Sequence, residues 1–465
     1  MPNHDLRPDL PRESRSPRLA AAAGLLLLLC WALGGVTVDS TGADETLQLF
    51  ALPVIGWAAW RLLHVPMTRT LALALACAAA IVLVPLWQLL PLPQAVGMGG
   101  EARALVAADL AQAGVAMPGV QASLWPRATE QGLWSLLPAL ALFLAALTVG
   151  APWRRRLLQL VLGLALASAA FAFFQLSLAD GSPLLLYTSW GRNFGGLFVN
   201  PNHQGTALAL GAVVALALFI EARRNARDEE HGHRHWLYAF LTAACVAMVP
   251  LANGSAAALL VLVGLVAVAL MMGVLRRRTA RSHPARALQF AAMGLAVAVV
   301  LASALAWKQA DIERQRIART TLEIGTRHAP LGTGVGSFVP VFAQSQDPRQ
   351  TRSEVINHAH NEYAQWWLEG GVPALLALAF ALFLFAWCGW RVLTGNRPRR
   401  LRVVAAPAWA GVLVLLLHSL VDFPLRTTAL MAAAGLLAGL LLATLGETTQ
   451  ERRSRMRRDD AAHPS

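Results

Sequence analysis

The chain of 465 residues is 56% hydrophobic and only 14% charged, whereas a soluble protein carries about 25% charged residues; a soluble globular enzyme is excluded. The formal net charge of +13, from 39 basic and 26 acidic side chains, would suit an anionic partner, but the basic residues form no single patch, which sets nucleic-acid binding aside. The apolar residues fall in runs of about twenty separated by short arginine-bearing segments, the pattern of bilayer-spanning helices.

Taken in chain order, the runs predict an all-α polytopic membrane protein with twelve spans near residues 19–38, 46–63, 70–90, 132–150, 157–179, 204–221, 236–252, 255–275, 288–307, 371–390, 403–421 and 427–446. The first follows a basic stretch (Arg7, Arg12, Arg15, Arg18) but is too long for a signal peptide and reads as an uncleaved helix. Residues 1–18 and 447–465 are then tails around a 19–446 membrane domain. With the N-terminus inside, the cytoplasmic segments hold 28 basic and 11 acidic residues, net +17, and the outer segments 11 basic and 15 acidic, net −4. The positive-inside rule therefore places both termini in the cytoplasm. Inner-face clusters such as Arg154 to Arg156, Arg276 to Arg278 and the tail ERRSRMRR read as anchors against anionic lipid. Cys30, Cys77, Cys245 and Cys388 all lie in apolar runs and read as small hydrophobes.

Two outer segments exceed a simple turn. Residues 91–131 include EARALVAADLAQAG, a candidate surface helix, and 308–370 is the longest polar stretch, between spans nine and ten. Loops of that length are usually functional or disordered, and the Trp, Tyr, His and Gly content near its end opposes disorder.

Because the outer face has few basic residues, each needs a reason, and three groups stand out. In SWGRNFGGLFVNPNHQG, Arg192 sits among Gly191, Gly195 and Gly196; glycine backbone and a forked guanidinium suit phosphate oxygens, against the alternative of a turn with one interfacial arginine. Asn202 and His203 read as helix-start residues. In DIERQRIARTTLEIGTRHAPLGTGVGSF, Arg316 and Arg319 share a helical face and GTGVG makes a close-approach turn after Pro330. No strand or P-loop lysine accompanies it, which opposes a nucleotide site, and the arginines read equally as an exposed amphipathic face. In INHAHNEYAQWWLEGGVPALL, His358, His360, Asn361, Glu362 and Glu369 run directly into an apolar span. A histidine can take a proton near neutral pH, as activating a hydroxyl requires. A metal site on His358 and His360 lacks a clear further ligand, and Tyr363, Trp366 and Trp367 serve either as interfacial belt or as sugar platforms.

These segments resemble the O-antigen ligase/polymerase family of bacterial envelope glycan transferases. The resemblance rests on GRNFGGLFVNPNH, on RIAR followed by PLGTGVGSF, on HAHNEY…LEGG from His358 to Gly371, and on the closing HSLVDFPL at 418–425, and covers roughly residues 190–425. It implies a fold similar to the C-type membrane glycosyltransferases. It also implies metal-independent, cofactor-free transfer of a glycan from undecaprenyl diphosphate at the periplasmic side of the inner membrane. The acceptor would be a glycan, lipid A-core or a protein hydroxyl, which spans polysaccharide polymerases, O-antigen ligases and protein O-oligosaccharyltransferases. Carried over, His360 is the general base, Arg192 and Arg316, with Arg319, hold the donor diphosphate, and His358, Asn361, Glu369 and Gly371 support them. The chain departs from the family pattern at Ala318, at Ala256 after Ser255, where an arginine is usual, and at Ala374; Arg319 or Arg426 are candidates to replace that arginine. A lipid-linked glycan transporter is the competing class, opposed by polar residues that gather at span ends and not at midplane.

Overall fold

The computed structural model describes residues 17–36, 42–91, 101–115, 121–186, 193–226, 233–252, 255–272, 312–345, 355–394 and 399–462. Within these the regular elements are helical, with one isolated bridge between Pro91 and Gln121. In chain order they are α1 (Pro17–Leu33), α2 (Gly42–Leu62), α3 (Arg69–Gln88), α4 (Glu101–Gln112), α5 (Pro126–Ser135), α6 (Leu137–Thr148), α7 (Ala151–Leu176), α8 (Pro201–Asn225), α9 (Arg234–Met248), α10 (Ser255–Met271), α11 (Ile312–Arg327), α12 (Phe338–Gln344), α13 (Glu362–Thr394), α14 (Arg399–His418) and α15 (Thr428–Ala462). Among the described residues, eight helical stretches are long and apolar enough to cross a membrane, and Pro17–Leu33 and Leu260–Met271 are shorter apolar helices. The span expected at 288–307 lies outside the described residues.

Three boundaries differ from the hydropathy reading. The span expected at 371 begins at Glu362, because Asn361 caps the helix: its Oδ1 accepts from Ala364 N at 3.0 Å and its carbonyl from Gln365 N. The span expected at 132–150 is α5 followed by α6, with Leu136 between them and Pro138 in the first turn of α6. Helix α15 runs past the apolar segment to Ala462, through residues expected as a tail.

Helix α8 lies at the centre, packed by α7, α9, α10 and α14, and its residues from His203 to Ala215 are all buried. Its small side chains permit this: a Cβ on Gly211 would lie 3.1 Å from the Ala165 methyl of α7. Helices α6 and α15 approach more closely still. A Cβ on Gly435 would stand 2.3 Å from Ala139 O, and one on Gly439 2.5 Å from Phe143 O, the small-xxx-small spacing that lets membrane helices touch backbone to backbone. Gly439→Leu is therefore expected to lower the thermal midpoint of the reconstituted protein, whereas Gly163→Leu, at a position with nothing within 4 Å, should leave it unchanged or slightly raised. Equal midpoints in the two variants would remove this packing role.

Alternate helix ends collect at two opposite faces. At one, the loop end, Ala429 N donates to Gly34 O, Val199 N to Gly35 O, and Thr428 Oγ1 to Asp44 Oδ1. At the other, Arg155 pairs with Glu221 at 2.8 Å, Arg156 lies over Trp153 and Arg391 over Trp387, the snorkelling arrangement of interfacial arginines. Arg154, expected among lipid anchors, instead turns inward: it is 6% exposed and its Nε donates to Val149 O.

At the loop end α11, α12 and residues 355–361 close over the bundle with a small core of their own, built from Ile317, Ile324, Phe338, Val341, Phe342 and Leu368. The long polar stretch is thus folded wherever it is described.

Candidate functional site

The PLGTGVGSF segment is close-packed against α13. Thr333 N and Gly334 N donate to the Leu368 and Glu369 carbonyls of α13, and Val372 N donates to Pro330 O. Gly332, Gly334 and Gly336 all have positive φ, and a Cβ on Gly332 would stand 2.6 Å from Glu369 O. Gly371 answers from the other side with φ 57° and ψ −146°, breaking the helical path where Pro373 follows; a Cβ there would meet Pro330 O at 2.2 Å. From α3, Gln88 Nε2 donates to the same Glu369 carbonyl at 2.9 Å while its Oε1 accepts from Val335 N. Glycine in this motif permits backbone contact, and the partner is protein. The same holds for Gly196 (φ 60°), whose absent Cβ makes room for Ser168 O. Gly371→Ala should loosen this clamp and lower both thermal stability and activity, which differential scanning and a transfer assay would read together.

Above the clamp, the chain enters α13 through His360, whose φ of 50° is left-handed. For a non-glycine residue this conformation costs of order 1 kcal/mol or more and persists only where surrounding contacts hold it. Those contacts are visible on both sides. Ala359 N donates to Gln365 Oε1 at 3.1 Å, and Asn361 Nδ2 donates to Leu420 O at 3.0 Å. The turn carries the imidazole to Asp422, with Nδ1 3.6 Å from Oδ1, while the side chain keeps 23% of its surface exposed.

Asp422 is 1% exposed and gathers the surrounding polar groups. Its Oδ1 accepts from Phe423 N at 2.9 Å and lies 3.9 Å from His203 Nε2. Its Oδ2 accepts from Asn202 Nδ2 at 3.0 Å and lies 3.6 Å from Arg314 Nη1 and 3.8 Å from His418 Nε2. The other nitrogen of His418 is held by Thr206 Oγ1 at 2.6 Å. Burial pushes the Asp422 carboxyl up, but His360, His203, His418 and Arg314 together hold it well below the ordinary carboxylate range. It is an ionised carboxylate facing one guanidinium and three imidazoles.

A second cluster lies beside Phe423. The Phe423 ring stands 4.9 Å from His360 and 4.3 Å from His358. Beyond His358, the fully buried Glu369 pairs with Arg426 at 3.0 and 3.5 Å and accepts from Gln365 Nε2 at 2.9 Å. Glu362 Oε1 accepts from Leu425 N at 2.7 Å. Arg426 is thereby engaged by Glu369.

Of the residues singled out in the sequence, His360, His358, Asn361, Glu369 and Gly371 come together here. Arg316 and Arg319 do share a face of α11, and that face is exposed; the inward stripe is Arg314, Ile317, Thr321 and Ile324. Arg192 lies outside the described residues, as do the side chains of Ser255 and Ala256. Asn202 and His203 do start a helix, capped by Asn200, and also face Asp422. The sequence reading missed Asp422 and Arg314. Among the described residues no group of three or more His, Cys, Asp or Glu side chains is arranged to hold a metal ion.

Residues 240–379 match the O-antigen ligase family model. The match covers 140 of the 465 residues. The matched family is the one identified from the motifs, and with it come a ligase/polymerase-type role in glycan transfer and a membrane setting. The matched segment contains the clamp, Arg314, His360 and Glu369, whereas Asn202, His203, Asp422 and Arg426 fall outside it. No curated protein matches the chain.

Proposed function

We propose that this protein transfers a glycan from undecaprenyl diphosphate to an acceptor hydroxyl, at the periplasmic face of the bacterial inner membrane, with His360 as general base. The observation that carries the reading is the pairing of a partly exposed imidazole with a buried, ionised carboxylate: His360 Nδ1 faces Asp422. A neutral imidazole that keeps its proton on Nδ1 toward the carboxylate leaves Nε2 as the acceptor. The acceptor hydroxyl gives its proton to Nε2 as its oxygen bonds the anomeric carbon. The bond from that carbon to the diphosphate oxygen breaks, and the electron pair leaves with undecaprenyl diphosphate. Attack opposite the leaving group inverts the anomeric centre. Asp422 is the counter-ion of the imidazolium, and the proton is released to water at the exposed edge of His360.

The leaving diphosphate needs fixed cations, because preorganised charge in a water-poor site lowers the barrier strongly. Arg316 and Arg319, exposed at the loop end, together with Arg192, are assigned this role, and Arg314 on the inner face of α11 positions Asp422. No step is assigned to a metal. The loop end is the periplasmic one and both termini are cytoplasmic, since the arginine-rich face then lies inside.

The test is product chemistry. Purified protein given undecaprenyl-diphosphate-linked glycan and a glycan, lipid A-core or protein acceptor should form a new glycosidic bond and release undecaprenyl diphosphate. Arg316→Ala should lower donor use by about 10²-fold, the scale for losing one transition-state charge contact, with the protein still inserted. Movement of intact donor across the bilayer with no new bond would replace the enzyme with a transporter.

A further inference from the structure

Lined in part by His358, a cavity of about 710 Å³ opens between α2, α3, α5, α6, α13, α14 and α15. It follows α15 from Thr428 to Leu442, about 20 Å at 1.5 Å per residue, against a hydrocarbon layer of about 30 Å. Its deep walls are apolar, with Phe143, Leu382, Phe385, Leu415, Met431 and Leu441 among them. The loop end is different: Asp44, Glu45, Glu362 and Glu369 line it against a single guanidinium, Arg426. That guanidinium is already bonded to both oxygens of Glu369. Uncharged hydrogen-bonding groups fill the remainder of this end, among them Gln48, Gln131, Gln365 and Asn357, beside Trp134 and Trp366.

We infer that this cavity binds the acceptor as a glycolipid, its single apolar chain in the shaft and an uncharged saccharide at the carboxylate-lined mouth. The inference rests on the proposed transfer reaction and assigns its acceptor a class. A diphosphate head would face Asp44 and Glu45, and among the described lining residues the one guanidinium, Arg426, is already paired with Glu369, so charge disfavours the donor's headgroup at the mouth. Sugar hydroxyls instead donate to carboxylates and exchange hydrogen bonds with amides, and indole faces suit sugar rings. His358 lines the mouth, its ring lies 4.3 Å from that of Phe423, and the Phe423 ring lies 4.9 Å from that of His360, so a saccharide seated there extends toward the proposed base.

The test measures binding alone, so it stands or fails independently of turnover. Full-length protein in phosphatidylcholine nanodiscs is labelled with an alkyl glucoside bearing a photoreactive group at the chain end. Label is expected on α13 and α15 residues that line the shaft, and unlabelled octyl glucoside should compete about tenfold or more better than farnesyl diphosphate. Ala438→Phe, which fills the shaft, should abolish the label at an unchanged thermal midpoint. Glu45→Lys should narrow the preference over the diphosphate several-fold without filling anything. Label spread evenly over lipid-facing side chains, or farnesyl diphosphate competing as well as the glucoside, would overturn the assignment. A fall in midpoint for Ala438→Phe leaves the decision to the Glu45→Lys comparison, where an unaltered preference also overturns it.

Discussion

Replacing Asp422 with Asn is expected to lower glycan transfer by between about 10²- and 10⁴-fold, the range for an aspartate that orients a general-base histidine. The isosteric amide keeps the volume at a site that is 1% exposed, so the protein should remain inserted. What it loses is the counter-ion: imidazolium formation at His360 is no longer offset by a carboxylate 3.6 Å away. Turnover should accordingly fall while donor binding is kept, a split that a purely structural aspartate would not produce. The stability effect has a defined sign. A carboxyl held below its ordinary value stabilises the fold above the unfolded-state pKa, about 3.9 for Asp, and loses that contribution as pH falls through the depressed value. Asp422 thus contributes fully at neutral pH, and the difference in thermal midpoint between wild type and Asp422→Asn should shrink only on strong acidification.

The second large effect belongs to Glu369 and Arg426. Glu369 is fully buried and accepts from both terminal nitrogens of Arg426. Removing one member of a buried pair leaves an uncompensated charge, at a cost of about 3–5 kcal/mol. Arg426→Gln should therefore lower the thermal midpoint sharply, and adding Glu369→Gln to it should recover a substantial part, because neither charge is then left alone. A double-mutant cycle reads this directly. The pair also reaches the proposed base. Glu369 accepts from Gln365 Nε2, and Gln365 Oε1 accepts from Ala359 N, next to the left-handed His360. Glu369→Gln should consequently lower turnover more than donor affinity.

Much of this was legible in the sequence wherever neighbours in space are neighbours in the chain. His358, His360, Asn361 and Glu369 lie within twelve residues, and a histidine cluster running into an apolar span is visible without a structure. Asp422 was not legible as their partner. It sits 62 residues beyond His360, in HSLVDFPL, a segment read only as part of the family resemblance. Arg314 was passed over because Arg316 and Arg319 share a face, whereas the buried stripe through Ile317, Thr321 and Ile324 selects Arg314. The glycines signalled close approach correctly, but composition could not say that Gly332 meets Glu369 O and Gly371 meets Pro330 O. Charge counting grouped Arg154 to Arg156 as anchors, but could not tell Arg154, turned to Val149 O, from Arg156 on Trp153.

The most direct measurement is a single-turnover transfer by purified, reconstituted protein carrying His360→Ala, with donor binding measured in parallel. The account predicts that donor binding stays within about twofold of wild type while turnover falls about 10²-fold or more. Transfer at the wild-type rate would contradict it.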